Sequence, residues 1–344
     1  NRMVAITRRP APLIVKWVGG LINTTGVSAF DYLITDSIET PPGCDEDFVE
    51  NLIRLPNDYV CYDIPSHIPP VSPLPARENG FITLGCFNNP TKINREVLIE
   101  WSRLLADIPK SRLYLKGKEF NDCALVEQTL STLEQFGVSQ ERVRIEGPAS
   151  HVKLLNSYNA VDIALDPWPY SGGLTTCEAL AMGVPVVTLP GPTFAGRHSA
   201  THLVNVGMPE MVATSWDQYR MRVKELATDL DNLEKIRSCL RDALARSPLC
   251  DSPRFGKHFN IALRAIWARH CSGETPDGLD VCLDESAWFA GEAAPAEIPD
   301  NVLDKKKGQH QFRWQFAGQI RTIDSSGKLL LSSSLSALRN LGAF

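Results

Sequence analysis

Short apolar runs alternate with amphipathic stretches through the middle of the chain. Phe81–Phe87 (FITLGCF), Arg112–Leu115, Val143–Ile145, Val161–Leu165 and Pro185–Leu189 read as strands. They are close to continuously apolar, which predicts a parallel sheet covered on both faces. Between them, Arg95–Ala106 places Val97, Leu98, Trp101, Leu104 and Leu105 at helical spacing. Ala124–Phe136, Val152–Tyr158, Leu174–Met182 and Gly196–Val206 read as further helices. Strands alternating with helices predict an α/β fold whose ligands bind beyond the carboxyl ends of the strands.

The flanks have a different texture. Leu13–Val18 and Asp31–Ile34 read as strands around a Gly-rich turn at Gly19–Gly26. Residues 38–80 are rich in acids and proline, with four prolines between Pro69 and Pro75, and read as an extended crossing linker. Gln218–Asp229, Leu233–Arg246 and Phe255–His270 carry helical periodicity. After Cys271 the pattern degrades. Residues 273–304 are acidic and rich in Ala and Pro, and are expected to be poorly ordered. Phe312–Leu331 reads as a hairpin around Asp324-Ser325-Ser326-Gly327. The expected division is therefore 1–75, a remnant domain plus linker, then 76–272, a Rossmann-like domain with terminal helices, then 273–344, a variable tail.

Composition narrows the function. The 344 residues carry a net charge of −5, and 43% are hydrophobic. No global field favours nucleic acid. No apolar run approaches the ~20 residues of a membrane span, and no signal peptide is visible. Nine cysteines contain no CxxC pair or zinc spacing, so reduced thiols and a cytoplasmic setting are expected. The chain opens at Asn1 and enters a strand almost at once, which predicts further sequence upstream.

The densest chemistry lies in VDIALDPWPYSGGLTTCEALAMGVPVVTLPG, residues 161–191. A buried strand feeds a Gly-Gly turn (Gly172, Gly173) into a helix N-terminus. Free amides and the helix dipole there make an anion site. Thr175 and Thr176 suit either phosphate binding or N-capping. Glu178, one turn in, suits either a sugar hydroxyl or the first-turn dipole.

This unit, with VKWVGGLINTTGVSAFDYLITDSIETPPG (15–43), LIRLPNDYVCY (52–62) and NGFITLGCFNNPTKIN (79–94), resembles the catalytic region of the O-GlcNAc transferase/SPINDLY family, glycosyltransferase family 41. LRDALARSPLCDSPRF is similar to the SPINDLY branch in particular. The resemblance implies a GT-B fold, here a complete donor-binding Rossmann-like domain and only part of the N-terminal one. It implies an inverting, metal-independent enzyme without a cofactor. Such an enzyme transfers a sugar, GlcNAc from UDP-GlcNAc, to Ser or Thr hydroxyls of a protein acceptor. It also implies TPR repeats upstream.

By the same resemblance Lys92 stabilises the leaving diphosphate, an ordinary exposed lysine being the alternative, and Asn89 faces the donor or merely shapes a turn before Pro90. Thr175 and Thr176 face the diphosphate, and Glu178 binds the ribose. Pro148, Ala149 and His151 lie at the base, and Asn23, Thr24, Thr25 and Gly26 form a loop facing the cleft. Arg197 is a phosphate ligand or one half of a structural ion pair. Trp168 and Tyr170 line the sugar pocket or simply pack. No general base can be named within the chain. Leu154 and Leu174 stand where the animal branch has histidines, as on the SPINDLY side, where the plant enzyme uses GDP-fucose. A protein O-fucosyltransferase is therefore the alternative. A donor-binding fragment without catalysis, and an enzyme with a glycan or lipid acceptor, are the others.

Overall fold

The structure, a computed structural model, describes residues 3–19, 23–290, 292, 312–316, 319–323 and 329–330. A short helix α1 (Met3–Ile6) precedes β1 (Val15–Lys16), β2 (Tyr32–Asp36) and β3 (Asn51–Leu55). Then α2 (Pro75–Asn79), β4 (Ile82–Cys86), α3 (Arg95–Asp107), β5 (Ser111–Lys116), α4 (Cys123–Gln135) and β6 (Val143–Glu146) follow. Next come α5 (His151–Ser157), β7 (Ile163–Leu165), α6 (Leu174–Ala181), β8 (Val186–Val187) and α7 (His198–Asn205). The remainder is α8 (Trp216–Thr228), α9 (Leu230–Ala245), α10 (Ser252–Cys271), β9 (Leu279–Val281) and β10 (Ala287–Phe289).

The second sheet has the order β6-β5-β4-β7-β8 and is parallel throughout. Its strand order reverses beside β4, so the loops after β4 and β7 open a crevice at the carboxyl edge. Trp101, Leu104 and Leu105 of α3 and Leu180 of α6 are fully buried against Leu84, Leu113 and Ile163. Side-chain caps start the helices: Asn94 accepts from the Val97 amide, Asp122 from Ala124 and Ser215 from Gln218.

The first sheet corrects two expectations. β3 lies inside the stretch read as linker and pairs in parallel with β2 from Tyr32↔Asn51 to Asp36↔Leu55. β9 pairs in parallel with β3, and β10 closes the sheet antiparallel to β9. Residues 279–281 and 287–289, read as part of a poorly ordered tail, thus complete this sheet. Helix α10 also packs here: Ala262 and Ile266 bury against Tyr32, Ile34, Ile53, Leu279 and Val281. Burial of this apolar face explains why a three-residue strand with Asp280 at its centre forms at all.

Beyond it, strands β11 (Phe312–Phe316), β12 (Gln319–Ile323) and β13 (Leu329–Leu330) form an antiparallel meander. The β12–β13 pair brackets the expected turn, and β11 adds a strand to the expected hairpin. Residues 293–304 of the acidic stretch lie outside the described residues.

The two sheets meet through a buried polar seam. His202 Nδ1 lies 2.6 Å from Asp58 Oδ2 and His198 Nδ1 2.7 Å from Glu39 Oε1. Thr201 Oγ1 donates to Asp36 at 2.8 Å. Burial and the nearby Glu39 and Asp58 push the Asp36 carboxyl up to about 8. Among the described residues, no helix is long and apolar enough to cross a membrane.

Candidate functional site

Four loops converge at the carboxyl edge of the second sheet. Asn88–Lys92 follows β4, Gly147–Ser150 follows β6, Asp166–Gly173 follows β7, and Leu189–Arg197 follows β8. The β7 loop is organised by a residue the sequence reading passed over. Asp166, fully buried, accepts from the Gly172 amide at 2.7 Å and from Thr188 Oγ1 at 2.6 Å. Burial outweighs these bonds and pushes its carboxyl up to about 6. A Cβ on Gly172 would fall 2.7 Å from Thr176 Oγ1 and 2.8 Å from Thr175 Oγ1, so only glycine fits this crowded turn. A Cβ on Gly173 would meet open space.

Lys92 ends a 3-10 turn after β4 and reaches back across the crevice. Its ammonium donates to the Ser171 carbonyl at 2.7 Å and stands 3.7 Å from the centroid of the Tyr170 ring. Burial lowers its pKa, with Asp166 opposing. Lys92 is therefore half-buried and held, not a free surface lysine, and Tyr170 serves as its platform.

The threonine pair resolves into two different residues. Thr176 is buried, and its Oγ1 lies 2.7 Å from Ser199 Oγ, which donates onward to the Gly172 carbonyl at 2.9 Å. Thr175 Oγ1 donates to Asn88 Oδ1 at 2.9 Å. Both hydroxyls thus tie α6 to its surroundings. What remains for an anion is backbone: the Leu174 and Thr175 amides carry no hydrogen bond among the described residues. Asn88, not Asn89, reaches Thr175. Asn89 is exposed and caps its own turn, accepting from the Thr91 amide at 2.9 Å. Adjacent asparagines give no sequence signal of which one turns inward.

Glu178 is buried with Oε1 2.8 Å from His151 Nε2, and burial raises its pKa against that contact. His151 Nδ1 lies 3.0 Å from Nε2 of His67 on the linker, a residue the sequence did not single out. Pro148 and Ala149 are exposed, and Pro148 lines an open cavity of about 810 Å³ with Thr91, Glu119 and Asn121. Leu174, at the mouth of the turn, is 62% exposed.

Arg197 has no carboxylate within ion-pair distance among the described residues. Its Nη1 donates weakly to the Ile38 carbonyl at 3.4 Å. It stands between two cavities. One, about 260 Å³, also takes in Asn23, Glu39 and Thr193. The other, about 610 Å³, is lined by Trp168, Trp216 and the Leu189–Pro192 turn. The cleft-loop threonines are anchored: Thr24 Oγ1 and the Thr25 amide donate to Glu50 at 2.7 and 2.8 Å, and Gly26 turns at φ +65°.

A solved structure of a point mutant of the Thermobaculum terrenum O-GlcNAc transferase superposes with a TM-score of 0.74 at 37% identity. The match covers 79% of this chain and 51% of that one. A Petunia hybrida protein named probable UDP-N-acetylglucosamine–peptide N-acetylglucosaminyltransferase SPINDLY is 38% identical over 314 residues. That match covers 89% of this chain and 33% of the relative. The like-named Eustoma exaltatum protein is 42% identical over 282 residues. The chain thus spans about a third of the length of these curated relatives. The two-sheet architecture is that of the GT-B glycosyltransferases. The sequence profile described as glycosyl transferase family 41 matches residues 75–259, the β4–β8 sheet and the helices that carry the crevice, and the chain belongs to that family.

Proposed function

We propose that this chain is the donor-binding part of a protein O-glycosyltransferase that moves GlcNAc from UDP-GlcNAc to Ser or Thr hydroxyls. The observation that carries this reading is the Lys92 ammonium on the Ser171 carbonyl, in the loop that leads into α6, where the Leu174 and Thr175 amides carry no hydrogen bond among the described residues. Together they offer positive charge where a departing nucleoside diphosphate needs it. The acceptor oxygen bonds to the anomeric carbon as the bond from that carbon to the diphosphate breaks, and the hydroxyl proton passes to the departing diphosphate. Charge therefore grows on the phosphate oxygens in the transition state, and donors fixed beforehand act on that growth. Glu178 takes the ribose hydroxyls, and Pro148 and Ala149 border the base. Asn89 contributes at most by shaping the Lys92 turn. Arg197, free of a carboxylate partner, faces the acceptor side, where Asn23 of the cleft loop lines the same cavity.

The test is calorimetric titration of the full-length protein with UDP-GlcNAc and with GDP-fucose, followed by transfer to a Ser/Thr peptide library. Tighter binding and transfer with UDP-GlcNAc supports the reading. Preference for GDP-fucose makes the protein an O-fucosyltransferase on the same scaffold. Binding of neither refutes the donor site.

A further inference from the structure

Three side chains form a line from the linker to helix α6. Glu178 Oε1 lies 2.8 Å from His151 Nε2, and His151 Nδ1 lies 3.0 Å from His67 Nε2, the two rings meeting edge to face. With Glu178 ionised, His151 Nε2–H donates to it. The Nδ1 of a neutral ring then accepts from His67 Nε2–H. The order of donors fixes the His151 ring, and with it the Glu178 carboxylate. Oε1 is engaged, while Oε2 has no hydrogen-bond partner among the described residues.

His67 is exposed, yet the strap that follows it directly is pinned. Arg241 Nη2 donates to the Pro69 carbonyl at 2.6 Å and Asn159 Nδ2 to Pro70 at 3.0 Å. Arg237 Nε donates to the Ser72 carbonyl at 2.9 Å, and Ile68 packs on the core of the second sheet. A side chain on a strap held at this many points can position another.

We propose that His67 is a positioning residue for donor binding: through His151 it holds Glu178 with Oε2 open to the vicinal hydroxyls of the donor's ribose. The proposal rests on the reading of Glu178 as the ribose carboxylate. A diol has two donors that a fixed carboxylate can take at once. A carboxylate free to rotate would lose that advantage.

The experiment is calorimetric titration of the full-length protein with UDP, GDP and their 2′-deoxy and 3′-deoxy forms. The wild-type protein is expected to bind the deoxy forms of its preferred nucleotide about tenfold more weakly, the loss of one hydrogen bond to a charged group. His67→Ala should weaken the ribonucleotide about as much and leave the deoxy forms nearly unchanged. His67→Gln, which keeps an N–H near the Nε2 position, should restore the discrimination. His67→Asn, too short to reach His151, is the second loss-of-contact variant should the alanine protein not fold. Wild-type discrimination in both loss-of-contact variants, or equal weakening of ribo and deoxy forms, overturns the role of His67. Undiminished discrimination in Glu178→Ala overturns the ribose reading itself.

Discussion

The Lys92 ammonium donates to the Ser171 carbonyl at 2.7 Å and lies over the ring of Tyr170, so the loops after β4 and β7 are joined across the mouth of the crevice. A cation already fixed in place loses little entropy when an anion arrives. Replacing Lys92 by Met keeps the apolar stem and removes the charge. We expect transfer to fall by about 10²–10³ in kcat, with a thermal midpoint within a few degrees of wild type. A transfer assay beside a melting curve checks both, and full activity in the variant would refute the role of Lys92.

Gly172→Ala should injure both the turn and the site. Its Cβ would press on Thr175 Oγ1, Thr176 Oγ1 and Asp166 Oδ1 together, the last at 3.0 Å. Overpacking of this kind costs about 1–3 kcal/mol. We expect that loss in denaturant unfolding together with weaker nucleotide binding. Gly173→Ala meets open space and should spare stability.

Asp166 gives a pH-dependent term of definite sign. The folded protein holds this proton up to about pH 6, whereas the unfolded chain releases it near pH 4. Its contribution to stability is therefore present below about pH 4 and is lost as pH rises through 6. The difference is on the order of 3 kcal/mol for a fully buried group. Asp166→Asn, which can keep both hydrogen bonds, should gain stability relative to wild type between pH 5 and pH 7.5. Urea unfolding at the two values checks this, and an unchanged difference would remove Asp166 as the source.

The strands at 279–289 give a sharp truncation test. Leu279 is buried against Ile53 and Ile266 in the first sheet. Leu279→Ala should cost about 2–4 kcal/mol. A chain ending at residue 272 should aggregate on size exclusion, because the apolar face of α10 and the edge of β3 would be uncovered.

The second sheet was legible because its central strands β4 and β7 are apolar runs and amphipathic helices alternate with the strands. Trp101, Leu104 and Leu105 announce α3 on their own. Of the first sheet only β1 and β2 were, at Leu13–Val18 and Asp31–Ile34; β3, β9 and β10 were not. β3 reads Asn51-Leu-Ile-Arg-Leu among acids and prolines, and β9 offers only Leu279 and Val281 around an aspartate. Neither segment carries enough local signal, and the tertiary burial that makes them strands joins residues more than 200 positions apart. In the site, the Lys92 ammonium does meet the loop that carries Gly172, at the Ser171 carbonyl. The motif could not show that the two threonine hydroxyls are engaged by Asn88 and Ser199. Nor could it show that His67 and His151 line up behind Glu178. Those are choices of direction among side chains, and one-dimensional spacing does not encode them.

The chain leaves the first sheet through residues 56–74 and returns to it through residues 246–252 into α10. Two lobes tied by two straps have lost most of their mutual freedom. The freedom that a double tether permits is rotation about the line through both crossings, as a door turns on a pair of hinges. Of the buried contacts, Glu39–His198 joins the lobes directly, whereas Asp58–His202 fastens the first strap to α7. Since the first strap carries His67, an alteration of that strap reaches Glu178, on the far side of His151, without touching α6 itself.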